Sequence, residues 1–270
     1  MEVRTLGRSG LQVPVVGMGT WRTFDVSGAA AEERCRAIVS AALHDGARLF
    51  DTSPMYGRAE SMLARCLEGR REQALVATKV WTPSREEGRA QIDRALEWYG
   101  GRVDVYQVHN LVNWREHLPH LEQRRERGQV GVVGITHYSR AAFAELIQVM
   151  TSVRIAQIQV PYNAADRAVE AEVLPAAAER GIGVIVMQPL GVGALAQRAP
   201  AAEALKPLAH FGIRTWAQAL LKWILSDRRV HCAIPATSSV EHMQENAAAG
   251  DPPWFDAAAR GYVAELADRR

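Results

Sequence analysis

The chain has 270 residues, 48% of them hydrophobic, and a formal net charge of +2. That length is close to the usual size of one α/β barrel and supplies apolar residues for a large core, so a single domain over 1–270 is expected. The balanced charge excludes a general affinity for nucleic acid or an anionic membrane surface.

Other compositional features narrow the setting. The three cysteines, Cys35, Cys66 and Cys232, are widely spaced and odd in number. They suit reduced, buried thiols better than a disulfide framework. The polar start MEVRTLGRSG has no apolar signal core, and no run long enough for a membrane span follows, so the cytoplasm is the expected compartment.

In chain order, the opening pattern is a hairpin, with Val3–Leu6 and Leu11–Val13 flanking Gly-Arg-Ser-Gly. Short apolar runs then recur at Val15–Met18, Arg48–Asp51, Leu75–Lys79, Val103–His109, Val132–Thr136, Ile155–Gln159, Gly183–Met187 and Val230–Ala233. They are rich in Val and Ile and too short for helices, so they read as buried parallel strands. Helical patterns alternate with them at Ala29–Asp45, Glu60–Leu67, Glu86–Trp98, His117–Arg127, Ala141–Met150, Glu172–Arg180, Arg214–Ser226 and Val240–Ala249. Gly46, Gly128 and Gly181 stand where left-handed helix terminators are expected. Gly191–Gly212 is the longest connection, and Phe255–Ala267 reads as one further helix. The alternation predicts a (β/α)8 TIM barrel in the α/β class, with an N-terminal β-hairpin and a C-terminal extra helix.

Active sites of such barrels lie at the C-terminal ends of the strands. There the pattern places Asp51, Lys79, His109, Thr136 with His137, and Gln159, and Tyr56 follows Asp51 closely. Each has a bland alternative: Asp51 as a cap, Tyr56 as a rim aromatic, His109 as a core histidine. Lys79 is harder to dismiss, because it ends an apolar run and a buried charge is costly unless paired. Lysine is also scarce, occurring only at 79, 206 and 222, while arginine does the ordinary surface work.

The four groups suit one reaction. Carbonyl reduction needs a hydride, which no side chain supplies, and a proton from a tuned donor. A lysine ammonium beside Tyr56 is expected to lower the phenol's pKa. Asp51 would keep Lys79 charged, and His109 would orient the carbonyl oxygen.

The chain resembles the aldo-keto reductase superfamily. The matching residues are Gly17-Met18-Gly19-Thr20-Trp21, Phe50-Asp51-Thr52-Ser53, Tyr56-Gly57 with Glu60, Ala77-Thr78-Lys79 and Asp104-Val105-Tyr106-Gln107-Val108-His109. They continue with Gly134-Ile135-Thr136, Gln159-Val160-Pro161-Tyr162-Asn163, Pro189-Leu190-Gly191, Ile234-Pro235 and Glu245-Asn246, in family order across nearly the whole chain. The resemblance implies a catalytic tetrad of Asp51, Tyr56, Lys79 and His109. It implies that NAD(P)H binds before the substrate and that the product leaves before the oxidised cofactor. The cofactor would cross the barrel rim without a Rossmann fold. Thr20 and Trp21 would meet the nicotinamide end, with Asp51 beside them. Thr136, His137 and Gln159 would hold the carboxamide. Gln188, Pro189, Leu190, Gly191 and Gly193 would follow the pyrophosphate, and Ala236, Thr237, His242, Glu245 and Asn246 would surround the adenosine.

Four positions depart from the family pattern. His137 stands where the family often has Asn, and Met187 where an aromatic often stacks on the nicotinamide. Ala236 and His242 stand where members preferring NADPH often carry Lys or Arg. NADP(H) is the favoured cofactor, with NAD(H) as the other option. Trp21, Tyr56, Trp81, His109 and Trp114 are expected to line the substrate site, with Trp254 and Phe255 as weaker candidates.

The expected partner is a small-molecule carbonyl compound, no metal is expected, and the protein would be a monomer or small homo-oligomer. Two other readings stay open: a class I aldolase-like lyase with Lys79 as the Schiff base, and a non-catalytic NADP(H)-binding redox sensor. A metal hydrolase fits poorly, because no His-x-His pair ends a strand.

Overall fold

The computed structural model describes residues 1–268. A two-stranded antiparallel hairpin, β1 (Val3–Thr5) and β2 (Gln12–Pro14), precedes an eight-stranded parallel sheet. Its strands in order are β3 (Met18–Gly19), β4 (Leu49–Asp51), β5 (Leu75–Val80), β6 (Val103–Val108), β7 (Val130–Thr136), β8 (Gln157–Pro161), β9 (Gly183–Met187) and β10 (Cys232–Ala233). Each pairs with the next in sequence order. Parallel bridges from Val16 to Ala233 and from Gly19 to Ala236 join the last strand to the first, so the sheet closes into a barrel. Gly19 permits this seam, since a Cβ there would stand 3.0 Å from the Ile234 carbonyl oxygen.

The helices are α1 (Ala29–His44), α2 (Ala59–Cys66), α3 (Arg85–Trp98), α4 (Trp114–Glu126), α5 (Phe143–Ser152), α6 (Val173–Arg180), α7 (Ala194–Gln197), α8 (Trp216–Leu225), α9 (Val240–Ala248) and α10 (Ala257–Asp268). They cover the outer face of the barrel, where the larger apolar cluster lies. None among the described residues is long and apolar enough to cross a membrane. Gly46, Gly128 and Gly181 adopt the left-handed conformation expected of helix terminators, with φ of 81°, 75° and 64°.

The barrel interior is layered. Leu49, Ala77, Val105, Val132, Ile185, Cys232 and Ile234 pack with Leu6 and Val13 of the hairpin region, which plugs one end. Side chains alternate along a strand, so Asp51, Lys79 and Gln107 repeat the facing of Leu49, Ala77 and Val105 one layer further along. The hairpin therefore stops the apolar end, and the polar layer opens at the C-terminal ends of the strands.

Several element bounds differ from expectation. β8 begins at Gln157 instead of Ile155, which puts Gln159 in its middle. β3 and β10 are only two residues long. His109 follows β6 and opens a 3-10 turn over His109–Leu111. α4 starts at Trp114, three residues before the pattern suggested, and carries Pro119 within its first two turns. The long connection after β9 is mostly built: a 3-10 turn at Gly191–Gly193, α7, and a 3-10 segment at Ala202–Phe211. The three cysteines are free and buried.

Candidate active site

Strand β4 delivers Asp51 to the mouth, and the chain then turns at once. Ser53 caps a 3-10 turn over Pro54–Tyr56 by accepting the Met55 N–H, and Tyr56 closes the turn through its N–H to the Ser53 carbonyl. Pro54 at the first position presets the turn. Gly57 follows with φ 62°, beside the Asp25 carboxylate. This short path, not a long loop, fixes Tyr56 over Lys79, whose Nζ lies 5.2 Å from the ring centroid.

Lys79 is fully buried on β5. Its ammonium donates to Asp51 Oδ1 at 2.6 Å and to the Thr52 carbonyl at 2.8 Å. The other carboxylate oxygen of Asp51 accepts from Gln159 Nε2 at 2.8 Å and from Gln107 Nε2 at 3.3 Å. The buried charges are thus paired with each other and with neutral donors, as burial demands. His109 meets Tyr56 edge to face, with ring centroids 5.7 Å apart. Its Nδ1 lies 2.8 Å from Ser53 Oγ.

The electrostatics follow from this packing. Burial works against the Lys79 ammonium, but Asp51 and Tyr56 outweigh it and hold the pKa above the ordinary lysine value. Burial raises the Tyr56 phenol, Lys79 pulls it down, and Asp51 raises it again. The net shift is upward. The sequence-based expectation of a net lowering is therefore corrected: Lys79 acts in that direction, but desolvation wins and Tyr56 stands as a protonated phenol. Burial, with the nearby Lys79 charge, pushes His109 down to about 2, so its imidazole is neutral. Behind the site, burial pushes Glu60 up to about 7, against a hydrogen bond from Thr78 Oγ1 and the Lys79 charge.

Asp51, Tyr56 and His109 open onto a cavity of about 720 Å³. Of the expected residues, Thr20, Trp21, Trp81, Gln159, Gln188, Pro189, Leu190, Gly193 and Ala236 also line it, as does Met187. A second cavity of about 380 Å³ adjoins, sharing Leu190 and Ala236 and lined further by Thr237, His242, Glu245 and Asn246. The structure thus brings Asp51, Tyr56, His109 and most of the expected rim residues to two adjoining cavities, with Lys79 buried beneath Tyr56. Among the described residues, His242 is the only basic side chain lining the second cavity.

Other expected residues stand elsewhere. Thr136 is buried below the cavity and reaches only Gln159 Oε1, at 3.5 Å. His137 does not line the cavity either: its Nδ1 accepts the Ser139 N–H and its ring stacks on Tyr138. Gly191, with φ 58°, shapes the turn and packs on Leu195. Trp114 is also corrected. The turn after His109 puts Asn110, Leu111 and Asn113 at positive φ, and Trp114 starts α4 with its indole N–H on Glu145. Trp254 bonds Glu2, and Phe255 packs on Phe211, both outside the cavity lining.

Sequence reasoning missed several groups. Arg22, Met55, Asn110, Tyr138 and Ile234 line the cavity from loops and strand ends. Gln107 bonds Asp51, and one signal for it existed: a polar amide in the middle of an apolar run needs a partner. Four of the six exposed large hydrophobic side chains among the described residues, Met55, Trp81, Tyr138 and Val192, ring this mouth. Such clustering marks a binding surface.

A closed parallel barrel with a paired lysine and a protonated phenol at its C-terminal mouth belongs to a narrow class of barrel oxidoreductases. The Aldo/keto reductase family model matches residues 15–266, and the chain belongs to that family. It is 28% identical over 281 residues to the L-galactose dehydrogenase of Arabidopsis thaliana, covering 92% of this chain and 88% of that one. The methylglyoxal reductase YeaE of Escherichia coli is 27% identical over 257 residues, covering 92% and 89%. Among solved structures, an aldo-keto reductase from Klebsiella pneumoniae in complex with NADPH superposes with a TM-score of 0.82 at 25% identity, covering 98% of this chain and 95% of that one.

Proposed function

We propose that the protein reduces a small aldehyde or ketone to an alcohol with NAD(P)H, Tyr56 giving the proton. The observation that carries this reading is the buried Asp51–Lys79 pair beneath a protonated Tyr56, facing two adjoining cavities of about 720 and 380 Å³. The bound nicotinamide would supply the hydride.

The residues of the two cavities fit such a cofactor part by part. Thr20, Trp21, Gln159 and Met187 would receive the nicotinamide end, with Thr136 acting through Gln159. The thioether of Met187 would lie against the ring. Gln188, Leu190, Val192 and Gly193 would flank the diphosphate, and Thr237, His242, Glu245 and Asn246 the adenosine. NADP(H) is the proposed cofactor. The second cavity, with His242 as its one basic group among the described residues and Glu245 beside it, leaves NAD(H) as a second option.

The chain's own groups divide the remaining work. Tyr56 Oη donates its proton to the carbonyl oxygen as charge develops there. The Lys79 ammonium stabilises the resulting phenolate, and Asp51 keeps that ammonium charged and in place. Neutral His109 orients the oxygen. Met55, Trp81, Tyr138 and Val192 favour a substrate with an apolar body around its carbonyl group.

The lyase reading needs a free, neutral amine that a substrate can reach. Lys79 is fully buried, donates two short hydrogen bonds, and has a raised pKa, all of which favour the reductase reading. The test is oxidation of NADPH and NADH, followed in parallel against an aldehyde and ketone panel. Tyr56→Phe is expected to abolish turnover while keeping cofactor affinity. Retained turnover in that variant would remove Tyr56 from its role.

A further inference from the structure

We propose that Ser53 is a positioning residue that fixes His109 in the tautomer carrying its proton on Nε2, turned toward the cavity. The inference rests on the reading of His109 as the group that orients the carbonyl oxygen.

A neutral imidazole has one N–H and one bare nitrogen, and which is which depends on the neighbour of each. His109 is neutral for the reasons given above. Ser53 is fully buried and His109 nearly so. Ser53 Oγ has two partners within hydrogen-bond reach: the Met55 N–H at 3.2 Å and His109 Nδ1 at 2.8 Å.

The Met55 N–H can only donate, so it occupies an acceptor position on Oγ. The hydroxyl's own hydrogen then has one available acceptor, which is Nδ1. With the opposite tautomer, Oγ would accept two N–H bonds and its hydrogen would be left buried without an acceptor. Unpaired buried donors are costly and rare. The arrangement that satisfies every group is Met55 N–H to Oγ, and Oγ–H to a bare Nδ1. The hydrogen of His109 must then sit on Nε2, the ring nitrogen without a hydrogen-bond partner among the described residues.

The consequence is chemical. An Nε2–H pointing into the cavity donates to a carbonyl oxygen, whereas a bare Nε2 would repel it. Tyr56 and His109 then present two donors to one oxygen, one transferring its proton and the other keeping it. Ser53 serves two functions with one oxygen, because the same atom caps the turn that carries Tyr56. It thereby ties the orientation of the proton donor to the tautomer of the orienting group.

The tautomer is read directly by two-bond ¹H–¹⁵N correlation NMR of protein labelled in its histidines, with the His109 signals assigned from their loss in His109→Gln. Wild-type protein is expected to show a protonated Nε2 and a bare, hydrogen-bonded Nδ1. In Ser53→Ala the Nδ1 hydrogen bond disappears and a population protonated on Nδ1 appears. Its kcat falls roughly 10–100-fold, by analogy with the loss when the hydrogen-bond partner of a metal-bound histidine is removed, with cofactor affinity kept. Ser53→Thr, which retains the hydroxyl, restores the wild-type pattern.

A wild-type Nδ1 that carries the proton overturns the proposal. So does a Ser53→Ala protein whose tautomer is unchanged, even if its rate falls, because the loss would then come from packing. The spectrum needs no turnover. A protein with the expected tautomer that reduces no carbonyl would therefore count against the proposed function and leave the Ser53 assignment intact.

Discussion

Asp51→Asn is the sharpest perturbation of the site. In the native protein three donors converge on the Asp51 carboxylate: Lys79 Nζ on one oxygen, Gln107 and Gln159 Nε2 on the other. An asparagine offers one oxygen and turns an NH2 group toward at least one of those donors. It also leaves the fully buried Lys79 ammonium with only the Thr52 carbonyl. Removing one partner of a buried ion pair costs about 3–5 kcal/mol. Lys79 can relieve part of this by losing its proton, so the low end, about 3 kcal/mol, is expected. For a chain of this size that is a fall in Tm of about 6–12 °C.

The assay is reversible urea unfolding of the wild type, Asp51→Asn, Lys79→Met and the double variant. The double variant removes both charges together. It should be more stable than the two single losses imply, with a coupling of about 2–3 kcal/mol. Additivity within about 0.5 kcal/mol would show that the two groups do not stabilise each other, and the electrostatic basis assigned to the site would fail.

Three other outcomes follow from particular residues. Glu60 binds a proton in the folded protein up to about pH 7, whereas its ordinary value is 4.5. Its contribution to stability is therefore greatest below pH 4.5 and is lost as pH rises through 7, by about 3 kcal/mol in all. Glu60→Gln should match the wild type in urea midpoint near pH 5 and exceed it near pH 8; an advantage that does not grow with pH contradicts the buried neutral carboxyl. Lys222 donates to the carbonyls of Phe211 at 2.7 Å, Asp251 at 2.6 Å and Pro253 at 3.2 Å, stitching two connections to α8. Lys222→Met should cost about 3 kcal/mol in thermal unfolding, because it strands these acceptors, and should leave the KM of the folded enzyme unchanged. Trp81→Ala should raise the substrate KM roughly tenfold, equivalent to about 1.4 kcal/mol, while Trp114→Ala leaves KM within roughly twofold; equal effects would mean that the cavity lining is misassigned.

The barrel was legible because eight Val- and Ile-rich runs alternate with amphipathic stretches, and a buried parallel sheet requires that pattern. The clustering of Asp51, Tyr56, Lys79 and His109 was legible because the fold dictates where strand ends go, and a lysine in an apolar run needs a partner. What could not be read depended on where loops land. Tyr138, Met55 and Arg22 enter the mouth through tertiary packing that no local pattern records.

Trp114 shows the opposite error. It lies five residues beyond His109, yet the positive-φ turn between them sends it to the outer layer. The net shift at Tyr56 was misjudged for a quantitative reason. Proximity to Lys79 is visible in a strand-end argument, but the depth of burial that outweighs it is not. The pairing of Ser53 with His109, 56 residues apart, likewise needed coordinates.

Hydride transfer itself is most directly tested by isotope. NADPH carrying deuterium at both C4 positions of the nicotinamide would be incubated with the protein and an apolar aldehyde, and the product examined by mass spectrometry and NMR. One deuterium on the carbinol carbon, with none on oxygen after exchange into water, is the expected result. An alcohol without deuterium on that carbon, or a carbon–carbon cleavage product formed without cofactor, would contradict the reductase account.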